Sequence, residues 1–486
     1  MSKNAMSNLH TAIGILIMLA GFVIPPFGPV TEIGVKCLFI FIGMVYLWST
    51  VNPLWPSQLG LILLGLSGYG GEGANGFKAV FASAIGNDTV ILLMLTIVLF
   101  GALDVMGVTK HIAKWCLTRK IIDGRPYLFL TAVFVTSYIM SAIVAPSAAV
   151  LIIWPVALHM MNVFGVTKED RIWHHYFVGL LAIMCIGQPL LPFKGAQLLI
   201  LNSLSKLAGV EVNWGTFMLY NIIIASIMTT AYLLVLKFII KPDVSKLQHV
   251  TAQQVAEALP LPEMDRAQKL LLLSLPTFII LMLAPSFLGK YLPFLKFFNI
   301  IGSTGLAMAF LVIYMIIKVD GKPVINYGFV SSKAFNWGTI FMVAAAVYGA
   351  GTLTAESTGV KQLIIDLLNP ILGGCSEMVF VSLMFACALL LTSFANNAGI
   401  GLVLLPVAAA FCEQMGIPFL PVGMGVGMMV FCAMLTPAAC PHAAMAFGRK
   451  DLYDGKAMVK IGLPYSIAYL ALYILVGYPL AKVFFL

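Results

Sequence analysis

Residues 140–157 read MSAIVAPSAAVLIIWPVA, and residues 391–409 read LTSFANNAGIGLVLLPVAA. Each stretch carries a tip of small and polar residues ten positions before a Pro-Val-Ala. Pro155 and Pro406 stand 251 residues apart, and the flanks keep register, with Gly107-Val108 matching Gly359-Val360 at 252 and Thr89-Val90 matching Thr339-Ile340 at 250. Two halves of the chain are built alike. In an apolar chain, hydrophobic segments interrupted at corresponding places in two halves point to a secondary transporter with its site at the repeat interface.

Working outward, 61% of the 486 residues are hydrophobic and 10% are charged, and the mean hydropathy is +1.00. A membrane span needs ~20 mostly apolar residues. Stretches of that kind lie near 10–28, 36–50, 57–70, 85–107, 176–208, 215–240, 268–287, 299–317, 337–356, 418–448 and 459–485. They predict about eleven crossings. Stretches 126–163 and 376–412 are each broken centrally and read as re-entrant hairpins. The first apolar stretch has few preceding cations and carries Pro25-Pro26, so it reads as a retained helix rather than a signal peptide. The eight cysteines form no close Cys-x-x-Cys pair and read as small hydrophobes.

The net charge of +9 does not mark a nucleic-acid surface, because the cations lie between apolar segments. Lys110, Lys114, Arg119, Lys120 and Arg125 share one connection, Lys237, Lys241, Lys246, Arg266 and Lys269 another, and Arg449, Lys450, Lys456 and Lys460 a third. The positive-inside rule makes these connections cytoplasmic. The N-terminus is then inside, the C-terminus outside, and the two hairpins open toward opposite sides. Residues 108–122 place Val108, Ile112, Trp115 and Ile122 on one helical face and lysines on another, which predicts a helix lying in the interface. Its repeat partner starts at Gly359. The polar stretch from Lys241 to Arg266 is a linker with a short helix at 252–258.

The division expected is a scaffold part at 1–125, a transport part at 126–240, a linker at 241–266, a second scaffold part at 267–375 and a second transport part at 376–486. The tips, Val144-Ala145-Pro146-Ser147 and Ala395-Asn396-Asn397-Ala398-Gly399, must be buried in protein or face water, since a broken backbone cannot leave its polar groups in lipid. The helix leaving a tip offers free N–H groups and the positive end of a dipole to an anion. Carbonyls at the end of the arriving helix suit a cation. A second pair of breaks follows, Gly187-Gln188-Pro189-Leu190-Leu191-Pro192-Phe193-Lys194 and Leu435-Thr436-Pro437-Ala438-Ala439-Cys440-Pro441-His442. Prolines there remove donors and interrupt the helix.

Lys194 is the most informative single residue, because an ammonium near mid-membrane faces a cavity, a partner or a substrate. Asp104 or Glu356 could pair with it; otherwise it faces an anionic substrate or replaces a bound cation. His442 reads either as a structural donor or as a ligand or proton carrier. Gly423, Gly425 and Gly427 read as close helix packing, and His174-His175 as solvated residues of a cytoplasmic connection.

On these residues the chain resembles the divalent-anion:sodium symporter family, which carries dicarboxylates, citrate or sulfate. In that family each hairpin tip bears a Ser-Asn-Thr triplet ten residues before a proline. The equivalent positions here are Ala145-Pro146-Ser147 and Asn396-Asn397-Ala398, so only Asn397 keeps the motif residue. The family's Thr-Pro-Pro-Asn stands here as Leu191-Pro192-Phe193-Lys194 and Cys440-Pro441-His442-Ala443. The resemblance implies an all-α polytopic membrane protein of two inverted repeats, with an elevator mechanism and a dimeric assembly. It also implies a small anionic substrate of di- or tricarboxylate type.

The expected substrate-binding residues are Ser147, Gln188, Lys194, Asn396, Asn397, Thr436 and His442, with a possible sodium site near Asn396 and Asn397. No catalytic residue or cofactor is expected, and the coupling ion is sodium or a proton. One reading is sodium-independent exchange or proton coupling, with Lys194 replacing a sodium ion. The alternative is sodium-coupled symport through the second hairpin. Less favoured alternatives are a membrane enzyme and a channel. The expected setting is a bacterial inner membrane.

Overall fold

The computed structural model describes residues 3–258, 260–288, 292, 295–372, 374–437 and 439–486. The first half runs α1 (Lys3–Ala20), α2 (Glu32–Thr50), α3 (Leu54–Leu66), α4 (Gly73–Ile85), α5 (Asp88–Val105), α6 (Val108–Leu117), α7 (Pro126–Ile143), α8 (Pro146–Val163), α9 (Arg171–Gly187), α10 (Gly195–Ala208) and α11 (Trp214–Leu234). A short helix, α12 (Ala252–Ala258), leads to α13 (Arg266–Leu288), α14 (Lys296–Ile316), α15 (Tyr327–Ala334), α16 (Trp337–Thr354), α17 (Val360–Leu372), α18 (Glu377–Thr392) and α19 (Asn397–Met415). The chain ends with α20 (Phe419–Phe431), α21 (Pro441–Gly448), α22 (Gly455–Leu472) and α23 (Tyr478–Phe485). Among the described residues nine helical segments are long and apolar enough to cross a membrane, and α9 and α10 form a further pair bent by 49°. The protein is an all-α polytopic membrane protein.

The connections expected before 85–107 and before 337–356 depart from the plan, the second also holding the helix α15. α4 is helical where a connection was expected, because Gly76, Val80 and Ala84 recur every fourth residue and are buried along one face. Lys318–Val319 and Lys322–Pro323 pair as a two-residue hairpin, since Asp320 and Gly321 both adopt positive φ, the geometry that a tight Asp-Gly turn demands.

The first hairpin occupies 126–163 as expected, with the backbone extended at Val144 and Ala145 and Pro146 at the first position of α8. Proline loses nothing there, because that N–H has no helical partner. The second hairpin runs from Glu377 to Met415, three residues past the expected end. Asn396 starts its outgoing arm by accepting the N–H groups of Ala398 (3.0 Å) and Gly399 (3.3 Å). Pro155 and Pro406 are each the tenth residue of that arm.

The repeat relation extends to packing. α3 of the first half lies on α16 of the second, and α14 of the second lies on α5 of the first; α4 meets α16 as α15 meets α5. Gly107 and Gly359, which precede the matching helices α6 and α17, both take left-handed backbone angles, φ 77° and 68°, and glycine does so without steric cost. Along α6, Val108 is buried but Trp115 is 62% exposed, so the expected single face divides between protein and surroundings. The Arg119 guanidinium lies 4.4 Å above the Trp115 ring.

The basic connections come together at one end of the molecule. Lys168 donates to the Lys450 carbonyl (3.0 Å), the Trp173 indole N–H to the Leu452 carbonyl (3.0 Å) and Arg171 to the Ile240 carbonyl (3.0 Å). Lys246 of the linker pairs with Asp170 at 2.7 Å. The linker also receives a carboxylate bond from Asp123, which accepts the Ala252 N–H (2.6 Å). These contacts gather the basic connections on one shared face. At the other end, Glu377 accepts from Tyr478 (2.5 Å) and pairs with Lys482.

Candidate functional site

Each hairpin is joined to the helix break that follows it in its own half. α9 stops at Gly187 against the arriving arm of the first hairpin; a Cβ added there would lie 2.2 Å from Ser141 Oγ and 2.6 Å from the Tyr138 carbonyl oxygen. Only glycine permits that approach. A short turn at 188–190 and an extended stretch follow, and the backbone re-enters α10 after Lys194.

Lys194 is 8% exposed, and its Nζ donates to the carbonyl of Val144 at 2.9 Å and approaches that of Ser141 at 3.5 Å. Those carbonyls close α7, where the ladder has ended and the helix dipole is negative. The ammonium therefore occupies the cation-favouring end of the first tip. Its acceptors are main-chain oxygens, and among the described residues it forms no ion pair; Asp104, one candidate partner, accepts the Thr109 hydroxyl at 3.1 Å.

The second tip repeats the joint with neutral groups. Thr436, from the break, donates its hydroxyl to the carbonyl of Ser393 at the end of α18. Thr392 donates to the Val430 carbonyl (2.6 Å) and lies 3.1 Å from Asn397 Oδ1. Asn397 is 6% exposed. Asn397 Oδ1 and the Val430 carbonyl oxygen thus both lie within hydrogen-bonding distance of Thr392 Oγ1, and oxygens of this hard type suit a metal cation. The first tip offers no such set, because its carbonyls already hold an ammonium. Ala438, inside this break, lies outside the described residues.

The two tips meet through α10, which leaves Lys194 and packs on both α19 and α20. A Cβ at Gly401 would fall 2.2 Å from Ile200 Cδ1, so α10 and α19 run in close contact. Ser147 is half-buried in the first turn of α8, three residues past Val144. Gln188 is half-buried with its Oε1 enclosed and without a hydrogen-bond partner among the described residues. Asn396 uses its Oδ1 to cap α19, while its own N–H faces Ser49 Oγ of α2 at 3.4 Å.

His442 is buried, with Nε2 3.1 Å from Cys440 Sγ and 3.3 Å from Cys185 Sγ of α9. It ties the second break to the first half. The sequence reading missed Gln197, Thr392, Ser393 and the two thiols. Gln197 is 2% exposed and, like Gln188, keeps an enclosed Oε1 without a partner among the described residues. Its signal was a polar side chain three positions after Lys194 in an apolar run. The glycines at 423 and 425 are close-packed as expected; a Cβ at Gly425 would fall 1.9 Å from the Phe385 ring.

The sodium:sulfate symporter transmembrane region, a protein family, matches residues 5–486. A transporter of Methanocaldococcus jannaschii described as uncharacterised is 22% identical over 69% of this chain and 69% of its own length. Another of the same description from Haemophilus influenzae is 22% identical over 72% of this chain and 71% of its own. Among solved structures, the YdaH transporter of Alcanivorax borkumensis aligns with a TM-score of 0.55 and 14% identity over 84% of this chain and 88% of that one. At that identity the likeness speaks for the fold.

Proposed function

This chain belongs to the sodium:sulfate symporter family, a family of secondary anion transporters, and on that premise we propose that it carries a small anion of di- or tricarboxylate type with a fixed ammonium in place of one coupling ion. The observation that carries this reading is the 2.9 Å contact between Lys194 Nζ and the Val144 carbonyl at the end of α7. A cation bound at that point would meet the same negative helix end. The substrate lies between the tips, attracted by Lys194 and by the N-termini of α8 and α19, with Ser147, Gln188, Asn396, Asn397 and Thr436 as its polar contacts. Transport at the first tip then needs no sodium, and the protein works as an exchanger or with protons, for which His442 is the candidate carrier.

The second tip supports a second reading, sodium-coupled symport, because Thr392, Asn397 and Val430 bring three oxygens together. In either case the hairpins and broken helices form a moving part, the earlier helices of each half form the scaffold, and two copies assemble as a dimer. Uptake of a radiolabelled dicarboxylate into proteoliposomes, with and without a sodium gradient, separates the readings. Exchange that proceeds without sodium and fails in Lys194→Ala is expected. Strict sodium dependence left unchanged by Lys194→Ala would remove the proposed role of the ammonium.

A further inference from the structure

A cavity of about 460 Å³ opens between the start of α9 and the start of α22, lined by Arg171, His174, His175, Ala457, Lys460 and Ile461. None of these six is acidic. The nearest acid along the chain, Asp170, is held by Lys246 at 2.7 Å. Arg171 is anchored by its bond to the Ile240 carbonyl, which fixes its guanidinium at the cavity. His175 Nδ1 is enclosed without a hydrogen-bond partner among the described residues. Two full positive charges, Arg171 and Lys460, thus flank a space large enough for a phosphate group.

We propose that this cavity binds the phosphate of an anionic phospholipid headgroup. Arginine and lysine together suit a phosphate, the first through its fork of donors and the second as a point charge. The position is right for a headgroup, since α9 begins at Arg171, α22 at Gly455, and the helical turn that continues α11 ends at Ile240. Basic pockets between membrane helices at such a boundary hold lipid phosphates. The flanking surface suits acyl chains: Val459, Leu463 and Ile467, spaced four apart on α22, are exposed, as are Phe238 and Ile239. A soluble anion would use the cations and leave that apolar stripe unused. The cavity is separate from the proposed transport site, because α9 carries the chain about 25 Å from Arg171 before its break.

Thermal unfolding of the delipidated full chain in detergent tests the assignment, using phosphatidylglycerol, phosphatidylcholine and inorganic phosphate as separate additions. Phosphatidylglycerol is expected to raise Tm by several degrees where phosphatidylcholine and phosphate do not. In Arg171→Gln/Lys460→Gln its apparent affinity should fall roughly tenfold or more, and Lys456→Gln, outside the lining, should leave it unchanged. Because Arg171 also braces Ile240, native mass spectrometry of Lys460→Gln alone provides a second measure, with fewer bound phosphatidylglycerol molecules expected than for the unaltered chain. Equal stabilisation by phosphatidylcholine, or lipid retention undiminished in these variants, would overturn the proposal. Full reproduction of the shift by inorganic phosphate would assign the cavity to a soluble anion and overturn the lipid assignment.

Discussion

An ammonium tethered to the chain cannot leave the carbonyls of α7, whereas a coupling ion must come and go. Lys194→Met should therefore uncover the Val144 carbonyl and cost about 1–3 kcal/mol, the usual penalty for an abandoned buried acceptor, measurable as a lower Tm of the purified protein. Lys194→Arg should not restore the unaltered value, because a planar guanidinium does not fill the place of a compact ammonium. That Lys194 is an unusual, buried cation was legible in the sequence, since it stands within an apolar run. Its partner was not, because carboxylates are visible as letters and main-chain carbonyls are not. For the same reason Thr392 and Ser393 were missed: they act through geometry at the end of α18, and nothing in their identity marks that place.

At the scale of elements, close approach decides what each break tolerates. Gly187→Ala should force α9 away from α7, since the added carbon would meet both Ser141 Oγ and the Tyr138 carbonyl. A cost of about 1–3 kcal/mol is expected for such overpacking, together with reduced uptake in proteoliposomes. The linker is held by charge. The Lys246 ammonium, bonded to Asp170, holds that carboxyl below its ordinary pKa, so the pair stabilises the docked linker above the usual carboxylate range and is lost as pH falls through the lowered value. Asp170→Asn should mimic the acid state at neutral pH, and faster tryptic cleavage after Lys246 is the readout. The bounds of α7, α8 and α12 were legible from prolines and polarity. α4 was not, because its glycine-rich start resembles a turn and its burial depends in part on α16, which lies in the other half of the sequence.

The molecule as a whole is expected to work by moving its hairpins and broken helices past the scaffold, and α10 meets α16 across that boundary. A Cβ at Gly351 of α16 would lie 3.4 Å from Lys206 Nζ of α10. Cysteines at both positions, joined by a short bifunctional thiol reagent, should abolish uptake while leaving substrate-induced thermal stabilisation intact. Undiminished uptake in the joined protein would contradict a moving part. The twofold plan was legible from the spacing of Pro155 and Pro406, but the exchange of helices was not, since periodicity within each half says nothing about which half supplies a neighbour. That exchange, with α3 lodged on α16 and α14 on α5, means that neither half contains all the neighbours of its own helices. A gene cut within the linker should yield two polypeptides that degrade when made separately and accumulate when co-expressed.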